Sequence, residues 1–68
     1  METKTYNSSA ITSSQYDAET LELQITFTTG KTYLYEGVPY NDYIRFTDAK
    51  SVGKSFSESI AHYDSKKI

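Results

Sequence analysis

The 68-residue sequence has no cysteine and no tryptophan, and it contains only one proline, one histidine and three glycines. Without cysteine, neither a disulfide nor a thiolate-bound metal can reinforce a chain of this size, which buries only about 60% of its unfolded surface. No apolar run approaches the roughly 20 residues that span a bilayer, and the first residues lack the pattern of a secretory signal. We therefore expect one small cytoplasmic domain over residues 1–68, of low to moderate stability or stabilised as a homodimer.

Excess positive charge is also absent. Seven basic residues against nine acidic ones give a net charge of −2, whereas a dedicated nucleic-acid-binding protein normally has a clearly basic surface. One basic and four acidic residues in 1–30 sum to −3, and six basic and five acidic residues in 31–68 sum to +1. Any electrostatic attraction of nucleic acid must therefore come from the second half of the chain.

Aromatic residues, by contrast, are abundant. Seven tyrosines and three phenylalanines are too many for a disordered chain. Residues 21–27 alternate strictly between apolar and polar, which predicts a half-buried strand. The following Thr28-Thr29-Gly30 suits a three-residue turn in which Gly30 adopts a left-handed conformation and forms a bulge.

The length of this turn decides which residues of the next strand face the core. A three-residue turn places Ile25 opposite Tyr33 and Leu23 opposite Tyr35, with both tyrosines on the apolar face and Leu34 outside. A two-residue turn would exchange the two faces and bury Leu34 instead. We favour the three-residue turn.

Weaker signals complete the fold prediction. Ser8–Tyr16 predicts a further strand, joined to the first by a turn at Asp17–Thr20. Pro39 suits the opening of a helix through Thr47, and Ser51 suits the N-cap of a second helix. Residues 64–68 are expected to fray. The sequence thus predicts an α+β domain, in which a three-stranded antiparallel meander is followed by two helices packed on one face. The expected inner residues of the helices are Tyr43, Ile44, Phe46, Val52, Phe56 and Ile60.

No motif predicts catalysis or a cofactor. Gly53-Lys54-Ser55 resembles the end of a phosphate-binding P-loop, but the required earlier glycine is replaced by Asp48 and a helix rather than a strand is predicted before it. His62 is the only histidine, so a metal site is not expected, and we interpret it as a solvated residue at a helix end. The chain is therefore predicted not to be an enzyme.

Two groups of residues are candidates for binding. Tyr40, Arg45, Lys50 and Lys54 could form a modest recognition surface, and the start of the second helix with its two lysines could hold one phosphate or carboxylate.

Tyr33 and Tyr35 form the second group. Aromatic residues two apart on a strand are an arrangement that stacks the bases of single-stranded RNA, with roughly 1–3 kcal/mol per base. Alternatively they pack in the core, which we favour because the chain has few other large residues to bury.

Several short motifs, in their order along the chain, resemble the KTSC domain family over about residues 8–63. The family takes its name from the C-terminal end of some lysyl-tRNA synthetases, and the resemblance implies an RNA-associated role without catalytic residues. The residues that carry it are Ser8-Ser9, Ile11, Tyr16-Asp17, Leu21, Leu23, Phe27, Gly30, Tyr33, Tyr35, Val38-Pro39, Tyr43, Ala49, Ser51, Gly53, Phe56, Ile60 and Tyr63.

Two functions therefore remain open at the level of sequence. One is a non-catalytic module that binds RNA, such as tRNA, through its more basic second half. The alternative is a protein-binding module, because the chain is acidic and compact and an outer strand of the meander offers an edge to a partner strand.

Overall fold

The computed structural model describes residues 1–68 as five strands and two helices. The strands form one antiparallel sheet in the order β1-β2-β3-β4-β5. No helix has the length and apolar character needed to cross a membrane. The elements in chain order are β1 (Glu2–Thr5), β2 (Ile11–Asp17), β3 (Glu22–Phe27), β4 (Thr32–Tyr35), α1 (Tyr40–Thr47), α2 (Val52–Ser59) and β5 (Ser65–Lys67).

The α+β class is confirmed, but the sheet has five strands rather than three. β1 pairs with β2, and β5 pairs with β4, so the predicted meander is the centre of the sheet. The expectation that residues 64–68 fray is wrong, because the main chain of this segment bonds to β4 and its flanks, as in the 3.1 Å bond from the Glu36 N–H to the Asp64 oxygen. Both added strands are polar and short, so no hydrophobic alternation marks them in the sequence.

The β3–β4 hairpin has the predicted register. Ile25 lies opposite Tyr33 and Leu23 lies opposite Tyr35. The Phe27 N–H donates to the Lys31 carbonyl at 2.9 Å, and Gly30 has a φ of +90°. The left-handed glycine is what allows three residues to close the turn.

Leu21 departs from the prediction. It has a φ of 61° and is 38% exposed, and β3 begins only at Glu22. The Leu21 N–H donates to the Asp17 carbonyl at 2.8 Å, which closes the β2–β3 turn, and the Leu21 carbonyl accepts from the Val38 N–H at 2.9 Å. Leu21 therefore closes a turn and anchors the chain before α1, rather than extending the apolar stripe of β3.

Both helices cover the same face of the sheet. Tyr43 of α1 stacks on Tyr16 of β2, with ring centroids 4.2 Å apart and planes 7° from parallel. Phe56 of α2 meets Phe27 and Tyr35 edge to face, at 5.4 and 5.5 Å. The core combines sheet and helix residues, namely Ile11, Tyr16, Leu23, Ile25, Tyr35, Val38, Tyr43, Phe46, Val52 and Ile60.

The two stacked tyrosines differ in how their hydroxyl groups are satisfied. The Tyr16 hydroxyl donates to the buried Val38 carbonyl at 2.7 Å, whereas the buried Tyr43 hydroxyl has no hydrogen-bond partner. The first bond fixes the segment that leads into α1. The Tyr43 hydroxyl lowers the free energy of unfolding, because its burial is not compensated by a hydrogen bond.

Removing each hydroxyl should therefore have opposite consequences. We expect Tyr16→Phe to lower the free energy of unfolding by about 1–3 kcal/mol, because it leaves the Val38 carbonyl buried without a donor. The matched control Tyr43→Phe should leave stability unchanged or raise it. Urea denaturation followed by circular dichroism measures both, and an equal loss in the two variants would contradict the assignment.

The same tyrosines make stability sensitive to alkaline pH. Burial, with a smaller effect of Glu2, raises the pKa of Tyr43 and Tyr16 above the ordinary value of 10.0. The unfolded chain ionises at its ordinary pKa, so the stabilisation is complete below pH 10 and is lost as pH rises through the folded-state values. We expect the free energy of unfolding to fall between about pH 10 and pH 12, and less steeply for Tyr43→Phe. A free energy of unfolding that stays constant across this pH range, as measured by urea denaturation, would contradict this.

Candidate functional site

Three of the four residues predicted to form a binding surface meet in one cleft between the two helices. Arg45 lies in the last turn of α1, Lys50 in the connecting turn and Lys54 in the first turn of α2, and all three line a cleft of about 520 Å³. Glu58 is the only carboxylate in the lining, so three cations and one anion give a formal charge of +2. On a chain with a net charge of −2, this is a local concentration of positive charge. We call it the cationic cleft.

A stripe of serines forms the floor of the cationic cleft. Ser51 caps α2 by accepting from the Lys54 N–H at 3.4 Å, and the Ser55 hydroxyl donates to the Arg45 carbonyl at 3.0 Å. Ser55 and Ser59 are both buried, and their small side chains let α1 approach α2 closely. Sequence reasoning missed this stripe, although its four-residue interval matches that of the inward-facing apolar residues Val52, Phe56 and Ile60.

The three cations differ in whether they already have an ion-pair partner within the chain. Arg45 forms an ion pair with Asp42 at 3.3 Å, and the same carboxylate accepts a hydrogen bond from the Tyr63 hydroxyl. Neither Lys50 nor Lys54 takes part in an ion pair. Arg45 is therefore oriented and partly neutralised, whereas the two lysines are free to pair with an external anion.

A second cleft of about 400 Å³ adjoins the first. It lies between the α1–α2 turn and the loop that joins β1 to β2, and Lys50 is its only charged lining residue. Ala49, Lys50 and Ser51 line both clefts. The two clefts thus adjoin at the α1–α2 turn, where Lys50 lines both, and we call them together the groove. No sequence signal points to the second cleft, because one wall depends on the unpredicted strand β1.

Tyr40 does not reach this groove. It is 50% exposed at the start of α1, and its ring lies 6.2 Å from that of Tyr16 and 6.1 Å from that of Tyr43. Five helical positions separate Tyr40 from Arg45, which turns the two side chains about 140° apart at 100° per residue. The structure therefore separates the predicted surface into the cationic cleft and an isolated exposed aromatic residue.

Tyr33 and Tyr35 both lie on the helix-covered face of the sheet. Tyr35 is only 7% exposed, and burial raises the pKa of its phenol. Tyr33 is half-buried and meets Phe27 edge to face at 5.8 Å. Tyr35 belongs to the core, so neither ring presents an open face beside the other for two stacked bases.

The remaining motifs have structural explanations. Gly53 lies inside α2, where an added Cβ would meet the Ala10 Cβ at 3.3 Å, so close packing accounts for this glycine. The element before Gly53-Lys54-Ser55 is the helix α1, not the strand that a P-loop requires. His62 is exposed beyond the end of α2, and its ring lies 4.2 Å from that of Tyr63.

A five-stranded antiparallel sheet, covered on one face by two helices with a cleft between them, defines a small α+β domain. The KTSC domain family matches residues 7–63, and the chain belongs to this family. A crystal structure of a KTSC domain protein from Yersinia pestis superposes with a TM-score of 0.92 and 34% sequence identity, over 98% of this chain and 96% of that chain. No curated protein matches.

The different burial of the two strand tyrosines can be tested directly. We expect Tyr35→Ala to lose about 3–5 kcal/mol, which leaves a domain of this size largely unfolded, and Tyr33→Ala to lose about half as much and remain folded. Circular dichroism with thermal unfolding distinguishes the two variants. A folded Tyr35→Ala variant with little loss of stability would show that the ring is dispensable to the core and available to a ligand.

Proposed function

We propose that this KTSC domain is a non-catalytic module that binds RNA through the phosphate backbone at the cationic cleft. The observation that carries the proposal is the convergence of Arg45, Lys50 and Lys54 on one cleft from three consecutive elements. Lysine and arginine that neutralise phosphates release condensed counterions, and this release is the main source of affinity for a nucleic-acid backbone.

The geometry of the cleft suits an oxygen anion. α2 begins at the cleft, so the positive end of its helix dipole adds to the charge of Lys50 and Lys54. The hydroxyl of Ser51 already satisfies one main-chain N–H of the first turn. A phosphate would therefore be held mainly by the two lysines, with Arg45 oriented at the opposite wall by Asp42.

The groove favours a chain of phosphates over a single anion. Lys50 lines both clefts, and the second cleft continues past it toward the loop between β1 and β2. An extended backbone lying along the groove would pass all three cations. Since these contacts are to phosphates and Tyr35 is buried, binding should depend strongly on salt and only weakly on base sequence.

The protein-binding alternative is less well supported. The strand edges expected to accept a partner, on the outer strands of the three-stranded meander, are occupied by β1 and β5. The cationic cleft could also attract an acidic protein segment. The experiment must therefore separate RNA from acidic peptide.

Fluorescence anisotropy with a labelled single-stranded RNA tests the proposal across a range of salt concentrations. Three phosphate contacts predict a slope of log K against log salt of about −2, and the double variant Lys50→Ala with Lys54→Ala should reduce it to about −0.7. The matched control is Lys66→Ala with Lys67→Ala, which removes the same charge from β5 outside the groove. The control should bind RNA nearly as the unchanged chain does.

Three outcomes would overturn the proposal. The first is absence of RNA binding at about 50 mM salt, where electrostatic binding is strong. The second is an equal loss of affinity in the two double variants, which would show a dependence on net charge alone. The third is binding of polyglutamate but not RNA with the same dependence on Lys50 and Lys54, which would assign the cleft to an acidic protein partner.

A further inference from the structure

The outer edge of β1 offers unpaired main-chain groups. The Tyr6 N–H donates to the Thr12 carbonyl at 2.9 Å, and in the same register Glu2 and Lys4 lie opposite Tyr16 and Ser14. Hydrogen-bonded pairs alternate along an antiparallel ladder, so the even-numbered residues of β1 bond to β2. The N–H and C=O groups of Thr3 and Thr5 therefore point outward to the open edge.

Only certain registers let two copies of this edge pair. The outward groups must meet each other, so where Thr3 pairs within β1 of a second copy it lies opposite either Thr3 or Thr5. The Thr3–Thr5 register brings Lys4 opposite Lys4 of the second copy, and like charges there are destabilising. The Thr3–Thr3 register instead brings Glu2 opposite Lys4 of the second copy, twice, at non-hydrogen-bonded positions where side chains lie closest.

We propose that two copies of this chain associate through β1, antiparallel about a two-fold axis at Thr3, with Glu2 of each copy paired with Lys4 of the other. The charges of β1 are self-complementary in this register. Glu2 and Lys4 both lie on the helix-covered face, since they are opposite the buried Tyr16 and Ser14. The result is a continuous ten-stranded sheet with one isologous contact.

Exposed apolar groups flank the same edge. Tyr40 is 50% exposed and lies beside Tyr16, the residue that pairs with Glu2, and Met1 is 79% exposed next to β1. Met1 lies opposite Thr5 of the second copy in this register and would lose exposure in the two-fold pair. β1 is only four residues long, so the contact is smaller than a standard interface and the dimer is expected to be weak.

The opposite edge of the sheet differs in its charges, because Lys66 already forms an ion pair with Glu36 at 3.3 Å. β5 has three residues, all exposed, and two of them are the adjacent Lys66 and Lys67. In the Ser65–Lys67 register of this edge Lys66 would lie opposite Lys66, and in the Ser65–Ser65 register it would have to leave Glu36 for Asp64 of the second copy. Association is therefore assigned to β1 and not to β5.

Charge exchange in β1 tests the proposal without disturbing the groove. The variants Glu2→Lys and Lys4→Glu each place like charges across the two-fold axis, so each should raise the dimer dissociation constant at least about tenfold. An equimolar mixture of the two restores opposite charges at both positions and should form a heterodimer. The double variant with both exchanges should dimerise like the unchanged chain. Analytical ultracentrifugation up to about 1 mM, which covers weak dimers, measures all four.

Thr3→Pro is an independent probe with an internal control. The N–H of Thr3 points away from β2, so proline at this position removes no hydrogen bond within one copy. The variant should therefore lose dimerisation while it keeps its fold. Lys4→Pro removes a bond to β2 and should destabilise the monomer as well. Circular dichroism verifies the fold of each variant. An unchanged chain that stays monomeric up to about 1 mM, or a dimer that survives Lys4→Glu and Thr3→Pro, would overturn the proposal.

Discussion

The packing of α2 on the sheet depends on the register of the β3–β4 hairpin. Gly30 closes a three-residue turn at a φ of +90°, and this turn puts Tyr33 and Tyr35 on the same face as Leu23 and Ile25. A shift by one residue would turn both rings to solvent and bury Leu34 in their place, which removes the aromatic contacts of Phe56 with Tyr35. The hairpin thereby fixes where α2 can pack, through the edge-to-face contacts of Phe56. The cleft between the helices depends on this packing of α2 together with the packing of α1 on Tyr16 of β2.

The central hairpin and the helices were predictable because each is defined by the periodicity of its buried side chains. Leu23, Ile25 and the two strand tyrosines follow the two-residue period of a strand, and Val52 and Ile60 follow the period of a helix. β1 and β5 bury no large side chain and are held by main-chain hydrogen bonds to open edges, for which polar residues suffice. Such strands are specified by the sheet they join rather than by their own sequence.

The sequence predicted which cations form the binding surface, but it did not predict how they are grouped in space. The cations of the second half of the chain were evident in the sequence, but their grouping depends on the angle between two helices. Ser55 holds the two helices together at this point, because its hydroxyl donates to the Arg45 carbonyl and its small side chain leaves room for close approach. Tyr40 is excluded from the group by helical geometry alone. A chain with net negative charge can thus present positive charge locally, and the net charge of −2 does not exclude an anionic partner.

The β1 edge and the groove are related through the loop that follows β1. Thr5 lines the second cleft, and in the proposed dimer the two Thr5 residues lie four strand positions apart, or about 13 Å at 3.3 Å per residue. A two-fold axis perpendicular to the sheet keeps both helix layers on one side, so an RNA long enough to span the dimer would contact both grooves. Two weak sites on one RNA act at a high effective concentration, which raises the overall affinity without any new contact. A small cleft with only three cations would then suffice for binding, because dimerisation would double the number of phosphates engaged.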